Sequence, residues 1–119
     1  MPSPNEDLCY SSAVELTAKI RNKELSPVEV ADAFIERVDA VNPALNAYVT
    51  LHPEKTRQWP QEAEDAVQKG EELGPLHGLP VSIKDLTHTE GIRTTCGSKA
   101  LEDLIPTEDA PLVTRLKLA

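Results

Sequence analysis

Apolar residues at helical spacing predict an amphipathic helix near the start of the chain. Ala13, Leu16 and Ile20 fall on one face of such a helix, and the charged residues around them fall off it. Ser12 stands just before this stripe and Glu15 stands three residues later, which is the spacing of a capping box. We therefore expect a helix that begins directly after Ser12.

A second helix has an even clearer start. Ser26 is a good N-cap residue, and Pro27 follows at the first helical position, where the missing N–H of proline has no helical partner to lose. The apolar stripe of this helix consists of Val30, Phe34, Val38 and Val41. Asn42 and Pro43 then predict the end of this helix, because the ring of a proline disfavours the helical conformation of the residue before it.

Strict alternation of apolar and polar residues predicts two strands. In residues 45–51, Leu, Ala, Val and Leu alternate with Asn, Tyr and Thr. In residues 79–86, the β-branched Val81 and Ile83 alternate with Ser82 and Lys84. Two strands are marginal in water unless helices cover them. The predicted fold class is therefore α/β, with helices packed on a mixed sheet of which only a few strands are present.

A third helix is predicted between these two strands. Pro53 opens it, it runs through Lys69, and Gly70 closes it. Pro60 lies inside this span, where it removes one hydrogen bond and forces a kink or a fresh start. We therefore expect two helical pieces.

The remaining segments carry weaker signals. Residues 1 to about 10 resemble a disordered leader, and residues 87–95 form a polar loop with Gly91 as its pivot. Residues 98–104 suit a short helical turn. Asp109 is placed to cap a last helix that turns its apolar residues inward.

Composition narrows the function classes. The length of 119 residues suits one small domain, and the net charge of −8 leaves no basic stripe for nucleic acid to contact. No apolar stretch approaches the length that spans a bilayer, and there is no secretory leader, so we expect a cytoplasmic protein without membrane contact. Cys9 and Cys96 form no ligand cluster with the histidines, which predicts free thiols, no metal and no cofactor.

Lys84, at the end of the second predicted strand, is the candidate catalytic residue. A lysine amine is a base only when neutral, which at neutral pH requires a fall of about 3 units from the reference pKa near 10.4. Burial or a cationic neighbour favours that change, whereas contact with the adjacent Asp85 opposes it. On pattern alone, the alternative is an exposed strand-end lysine paired loosely with a carboxylate.

Three neighbouring side chains are weaker candidates. His77 and His88 flank Lys84 and titrate near neutral pH, but neither has a matching partner in the sequence. Ser82 shares a strand face with Lys84 at roughly 7 Å, which is too far for a direct hydrogen bond. We expect none of the three to take a direct part in chemistry.

The residues around Lys84 form a long, ordered motif. Residues 74–85 read Gly-Pro-Leu-His-Gly-Leu-Pro-Val-Ser-Ile-Lys-Asp, and residues 91–98 read Gly-Ile-Arg-Thr-Thr-Cys-Gly-Ser. Glu-Asp-Ala at residues 108–110 and Leu-Val-Thr-Arg-Leu at residues 112–116 follow them. This run closely resembles the amidase signature family. The resemblance covers nearly the whole chain, although the amino-terminal helices match more loosely.

The resemblance implies a hydrolase that cleaves the carbon–nitrogen bond of a small-molecule carboxamide through a Ser, cis-Ser, Lys triad, without a cofactor. Lys84 is the position that matches the lysine of that triad. The Gly/Ser-rich segment that carries both serines in the family lies beyond Ala119. We therefore expect residues 1–119 to be the N-terminal part of a single amidase domain and to be inactive alone.

Two alternatives stay open at this point. Within the family, the resemblance also fits the A-type subunit of a glutamyl-tRNA(Gln) amidotransferase, which the acidic charge weakly disfavours. Outside enzymology, the chain could be a non-catalytic truncated fragment or an interaction module. Because the predicted sheet has an open edge, we also expect self-association through that edge.

Overall fold

The computed structural model describes residues 4–51 and 53–119. They form two units: Met1–Ala47 with Pro53–Pro80, called unit 1 below, and Tyr48–His52 with Val81–Ala119, called unit 2. The helices are α1 (Pro4–Tyr10), α2 (Ala13–Arg21), α3 (Pro27–Leu45), α4 (Pro53–Lys69) and α5 (Pro111–Leu118), with one 3₁₀ turn at Lys99–Leu101. The first four belong to unit 1. Helix α1 occupies most of the segment for which we expected a disordered leader; residues 1–3 lie outside the described residues.

The predicted start of α2 is confirmed. The Glu15 N–H donates to Ser12 Oγ at 3.2 Å, and the Ser12 N–H donates to Glu15 Oε2 at 3.0 Å. This capping box satisfies backbone donors that have no partner inside the helix. The hydrogen bond from the Ser12 backbone, followed by that from its hydroxyl, lowers the pKa of Glu15. Leu16 and Ile20 on the predicted apolar face are buried.

Helix α3 begins as predicted but does not end as predicted. The Val28 N–H donates to Ser26 Oγ at 3.0 Å, so Ser26 is the N-cap. The helix continues past Pro43 to Leu45 and ends at Asn46, whose φ of 51° is left-handed and whose N–H donates to the Asn42 carbonyl at 2.7 Å. A proline so close to the end removes only one helical hydrogen bond, and the left-handed cap then closes the last turn.

The core of unit 1 is formed by buried residues of α2, α3 and α4, and α3 also packs against α1. Its buried residues are Leu16, Ile20, Val30 and Val67, and Leu8, Leu25, Phe34, Leu73 and Leu79 pack against them. Helix α4 runs without a break through Pro60, so the expectation of two pieces is wrong. Burial of Val67 on this helix supplies packing that offsets the one lost hydrogen bond. Gly70, with a φ of 72°, closes the helix as predicted.

The predicted mixed sheet is absent, so the fold class we expected is wrong. Within residues 4–51 and 53–119 the structure contains helices and loops but no strand, and its one β-bridge joins Thr89 to Ile92. Leu45 belongs to α3, and residues 46–51 and 79–84 are irregular. Alternation marks only a preference for a pleated surface, and a strand forms only where another strand accepts its backbone groups. The described residues therefore contain no exposed strand edge through which the expected self-association could occur.

Unit 2 is held together by hydrogen bonds between loops. Backbone bonds run from Gly91 to the Pro106 carbonyl, from Thr94 to Leu104 and from Ala110 to His88, each at 2.9 Å. The Arg93 guanidinium donates one hydrogen bond to the Glu102 carbonyl and another, of 3.3 Å, to Thr50 Oγ1. The polar loop over residues 87–95 and the helical turn after Ser98 agree with the sequence predictions.

Asp109 does not cap α5, which corrects another prediction. The N-cap is Ala110, which makes no side-chain capping bond. Asp109 instead accepts the Glu90 N–H at 2.7 Å and pairs with the Lys117 ammonium at 2.6 Å. Val113, Leu116 and Leu112 are the apolar residues expected to face inward; Val113 is buried and Leu116 is half-buried, but Leu112 is exposed.

Candidate active site

Lys84 lies in unit 2 at the end of an irregular segment. Its carbonyl accepts the Thr87 N–H at 2.9 Å, which closes a turn immediately after it. The Lys84 side chain is exposed. Its ammonium makes no hydrogen bond or ion pair with any side chain in the described residues. The backbone carbonyl of Lys84 is therefore held by a hydrogen bond, whereas its side-chain amine is exposed to solvent.

Asp85 points its carboxylate at Thr95 and not at the adjacent lysine. Oδ1 accepts the Thr95 N–H at 2.8 Å, and Oδ2 accepts the Thr95 hydroxyl. These bonds, with the hydroxyl contributing most and the Thr95 backbone next, lower the pKa of Asp85, and the positive charge of Arg93 adds a smaller effect. Donors that bind a carboxylate favour its ionised form. The loose Lys84–carboxylate pair considered from sequence is thus not formed with Asp85.

The partner of Asp85 sits in a tight turn. Cys96 and Gly97 both have positive φ, 53° and 68°, and the Gly97 N–H donates to Thr95 Oγ1 at 3.2 Å. The Cys96 N–H donates to the Asp85 carbonyl at 2.8 Å. The backbone and the carboxylate of Asp85 are therefore both bound to residues 95–96. We call this set of contacts the Asp85–Thr95 clamp.

The other candidate side chains each have their own surroundings. The His77 imidazole lies in unit 1 with Nε2 2.9 Å from the Ala63 carbonyl oxygen. In unit 2, His88 and Ser82 have exposed side chains. A shallow depression lies beside the Lys84 turn and is lined by residues 86–88 and 108–111. Within the described part of unit 2, neither the His88 nor the Ser82 side chain makes a hydrogen bond to Lys84.

The described part of the chain contains neither a cluster of metal-ligand side chains nor a candidate membrane-spanning helix. No group of three or more His, Cys, Asp or Glu side chains there is placed to hold a metal ion. Neither Cys9 nor Cys96 takes part in a disulfide bond in the described residues. No helix of the described residues combines the length and the apolar character needed to cross a bilayer.

The sequence does not identify Thr95 as a residue of this site. Thr95 stands out only as part of the motif at residues 91–98, and Asp85 only as a carboxylate whose contact would keep Lys84 charged. The contact joins positions ten residues apart through an irregular loop, and neither helical nor strand periodicity relates such positions. A carboxylate followed by a Thr-Thr-Cys-Gly turn could have suggested the pairing, because threonine and glycine are typical of turns whose donors point at anions.

Comparison with known proteins places the chain within a known class. The profile of the Amidase family matches residues 29–119. The chain belongs to the amidase signature family.

Individual relatives agree with this assignment. The chain is 50% identical over 113 residues to the A-type subunit of the glutamyl-tRNA(Gln) amidotransferase of Carboxydothermus hydrogenoformans, covering 95% of this chain and 23% of that protein. It is 45% identical over 112 residues to the acylamidase of Rhodococcus erythropolis, covering 94% of this chain and 24% of that enzyme. A structure solved in work on a vestigial protein complex and the origins of an s-triazine catabolic enzyme superposes with a TM-score of 0.86 at 31% identity. That match covers 91% of this chain and 24% of the solved one. The chain thus spans about a quarter of the length of the proteins it matches.

Proposed function

We propose that this chain contributes the general base, Lys84, to an enzyme that cleaves the carbon–nitrogen bond of carboxamides. One observation carries the proposal: the carboxylate of Asp85 is bound to Thr95, so it does not hold the neighbouring Lys84 amine in an ion pair. An ion pair with a carboxylate favours the ammonium form of an amine. Desolvation of an unpaired amine favours the neutral form, which can accept a proton. Membership of the amidase family supports the choice of reaction.

The proposed reaction uses two serines that the rest of the enzyme supplies. Lys84 takes the proton of a bridging cis-serine, and the cis-serine takes the proton of the nucleophilic serine as its oxygen attacks the amide carbonyl carbon. The carbon–nitrogen bond breaks, the amine leaves with a proton returned along the same path, and water hydrolyses the acyl-enzyme. Lysine here occupies the role that histidine has in the Ser-His-Asp triad.

The substrate class has two candidates, and each has a relative that favours it. The similarity to an acylamidase favours simple amides, and the similarity to a component of an amidotransferase favours glutamine. The net charge of −8 leaves this segment without a basic surface for tRNA, although other subunits could provide one. Turnover of free glutamine against a panel of simple amides, measured on the complete cellular protein, distinguishes the two.

The test of the proposed function is Lys84→Ala in the complete cellular protein. We expect kcat to fall by about 10⁴-fold or more, as when a triad member is lost. Lys99→Ala is the matched control, because Lys99 is an exposed lysine of the same unit that starts the 3₁₀ turn, and it should leave turnover unchanged. Near-normal turnover of Lys84→Ala would overturn the role of Lys84.

A second measurement uses the 119-residue chain alone. We expect no turnover above background, because it contributes at most one of the three triad residues. If the complete cellular protein also lacks turnover on every amide tested, the proposed function is wrong and the non-catalytic module is the better interpretation.

A further inference from the structure

The Asp85–Thr95 clamp affects both the position and the charge environment of Lys84. On the backbone, the Cys96 N–H holds the Asp85 carbonyl at 2.8 Å, and the Thr87 N–H holds the Lys84 carbonyl at 2.9 Å. Two successive peptide groups are thus hydrogen-bonded, one to residue 96 and one to residue 87. The segment has no strand neighbours among the described residues, so these bonds stand in place of a sheet ladder.

The side-chain half of the clamp controls where a negative charge lies. Asp85 is the carboxylate adjacent to Lys84 in the chain, and both of its oxygens accept hydrogen bonds from Thr95. Thr95 is buried, with 6% of its surface exposed, so its hydroxyl is held in place by packing. The Gly97 N–H donates to that same hydroxyl oxygen, which orients the hydroxyl proton toward Asp85. The Arg93 guanidinium, which also binds the Glu102 carbonyl, adds a positive charge that favours the ionised carboxylate.

We propose that Thr95 and Asp85 are positioning residues for Lys84. The Thr95 hydroxyl binds the Asp85 carboxylate, which keeps that carboxylate from pairing with the lysine amine and holds the backbone of residues 84–85 in place. This inference rests on the proposed function, because it assigns the clamp a part in presenting the base. Removal of the hydroxyl frees Oδ2 of Asp85, which can then bind the Lys84 ammonium and keep it protonated. It also loosens the segment that sets where the amine lies.

The test compares two Thr95 variants in the complete cellular protein. Thr95→Val keeps the shape and the backbone N–H but loses the hydroxyl, and we expect kcat to fall by about 10- to 100-fold with little change in KM, as for a misplaced catalytic group. Thr95→Ser keeps the hydroxyl and should restore kcat to within about threefold of wild type.

Thr94→Val is the matched control. Thr94 is equally buried, at 3%, but its hydroxyl donates to the Ile92 carbonyl at 3.1 Å and not to Asp85. The loss of this buried hydroxyl should lower stability and leave kcat unchanged. An equal loss of kcat in Thr94→Val and Thr95→Val would show a general structural effect and overturn the positioning role.

An NMR measurement tests the clamp without relying on activity. In the 119-residue chain, the Asp85 carboxyl carbon should titrate at a lower pH than an ordinary aspartate, and Thr95→Val should raise that pKa while Thr95→Ser should not. An ordinary pKa for Asp85 in the unmodified chain would overturn the clamp.

If Lys84→Ala abolishes turnover while Thr95→Val has the wild-type kcat, the positioning role alone is wrong. Near-normal turnover of Lys84→Ala removes the proposed function and this inference together.

Discussion

The Nε2 atom of His77 lies 2.9 Å from the carbonyl oxygen of Ala63, in helix α4. A carbonyl oxygen can only accept, so Nε2 carries the proton and donates it. The contact ties the Gly- and Pro-rich turn that precedes the Lys84 segment to the helical part of unit 1. His77 therefore has a structural part in the described chain, where the sequence had raised an acid/base role.

We predict that His77→Ala lowers the free energy of unfolding by about 1 to 2 kcal/mol, because a hydrogen bond and half-buried packing are lost. Trp59, the one tryptophan, lies in α4 and reports unfolding of unit 1 by its fluorescence in a urea titration. His88→Ala is the control, since the His88 side chain is exposed, and it should change stability by less than about 0.5 kcal/mol. Equal effects of the two variants would contradict the structural role of His77.

Gly78→Ala should be strongly destabilising, because the new Cβ has no room. It would lie 3.0 Å from Pro27 Cγ and 3.1 Å from Ile20 Cδ1, both fully buried, and the φ of Gly78 is 80°. Left-handed strain and overpacking together predict a loss of about 2 to 4 kcal/mol in the same urea titration.

Gly70→Ala separates these two effects. Its φ of 72° is nearly the same, but no atom lies within 4 Å of the added Cβ. We expect a loss of about 1 kcal/mol from strain alone. A Gly78→Ala variant no less stable than Gly70→Ala would show that the turn does not pack against α2 and α3 as described.

Acid should destabilise the chain partly through Asp85. The pKa of Asp85 is lower in the folded chain than the value near 3.9 expected on unfolding, so the clamp stabilises the fold fully above about pH 5. This contribution is lost as pH falls through the folded pKa. We predict that Asp85→Asn flattens the loss of Tm between about pH 5 and pH 2.5, which thermal melts followed by circular dichroism can measure.

Asp32→Asn is the control for that experiment, because Asp32 is exposed on α3 and its carboxylate has no partner among the described residues. It should leave the slope of Tm against pH unchanged. Parallel profiles for Asp85→Asn and the unmodified chain would argue against the hydrogen bonds to Asp85. Glu15 also has a lowered pKa, so part of the acid sensitivity should persist in Asp85→Asn.

Lys84→Arg should inactivate the complete cellular protein almost as fully as Lys84→Ala. The guanidinium keeps a positive charge and a similar reach, but it stays protonated at any working pH and cannot accept the serine proton. Steady-state kinetics on the amide substrate checks this, with Lys99→Arg as the exposed control. Substantial turnover by Lys84→Arg would show that this position supplies only charge.

The sequence by itself determined the parts of the fold that depend on neighbours along the chain. Ser12 with Glu15 and Ser26 with Glu29 form their capping boxes within one helical turn, so the starts of α2 and α3 could be predicted. Gly70 was also predictable, because only the local backbone conformation is involved. The identity of the candidate base followed from the resemblance around Lys84.

Tertiary structure decided what depends on distant partners. Pro43 and Pro60 each remove a local hydrogen bond, yet packing within unit 1 keeps both helices intact past them. The alternating residues 79–86 have the composition of a strand, but a strand also requires a neighbour, and the described chain provides none. The binding of Asp85 by Thr95 likewise depends on a loop that brings residues 85 and 95 together. The energy of such contacts comes from burial and hydrogen bonding between segments, which local patterns of hydrophobicity do not contain.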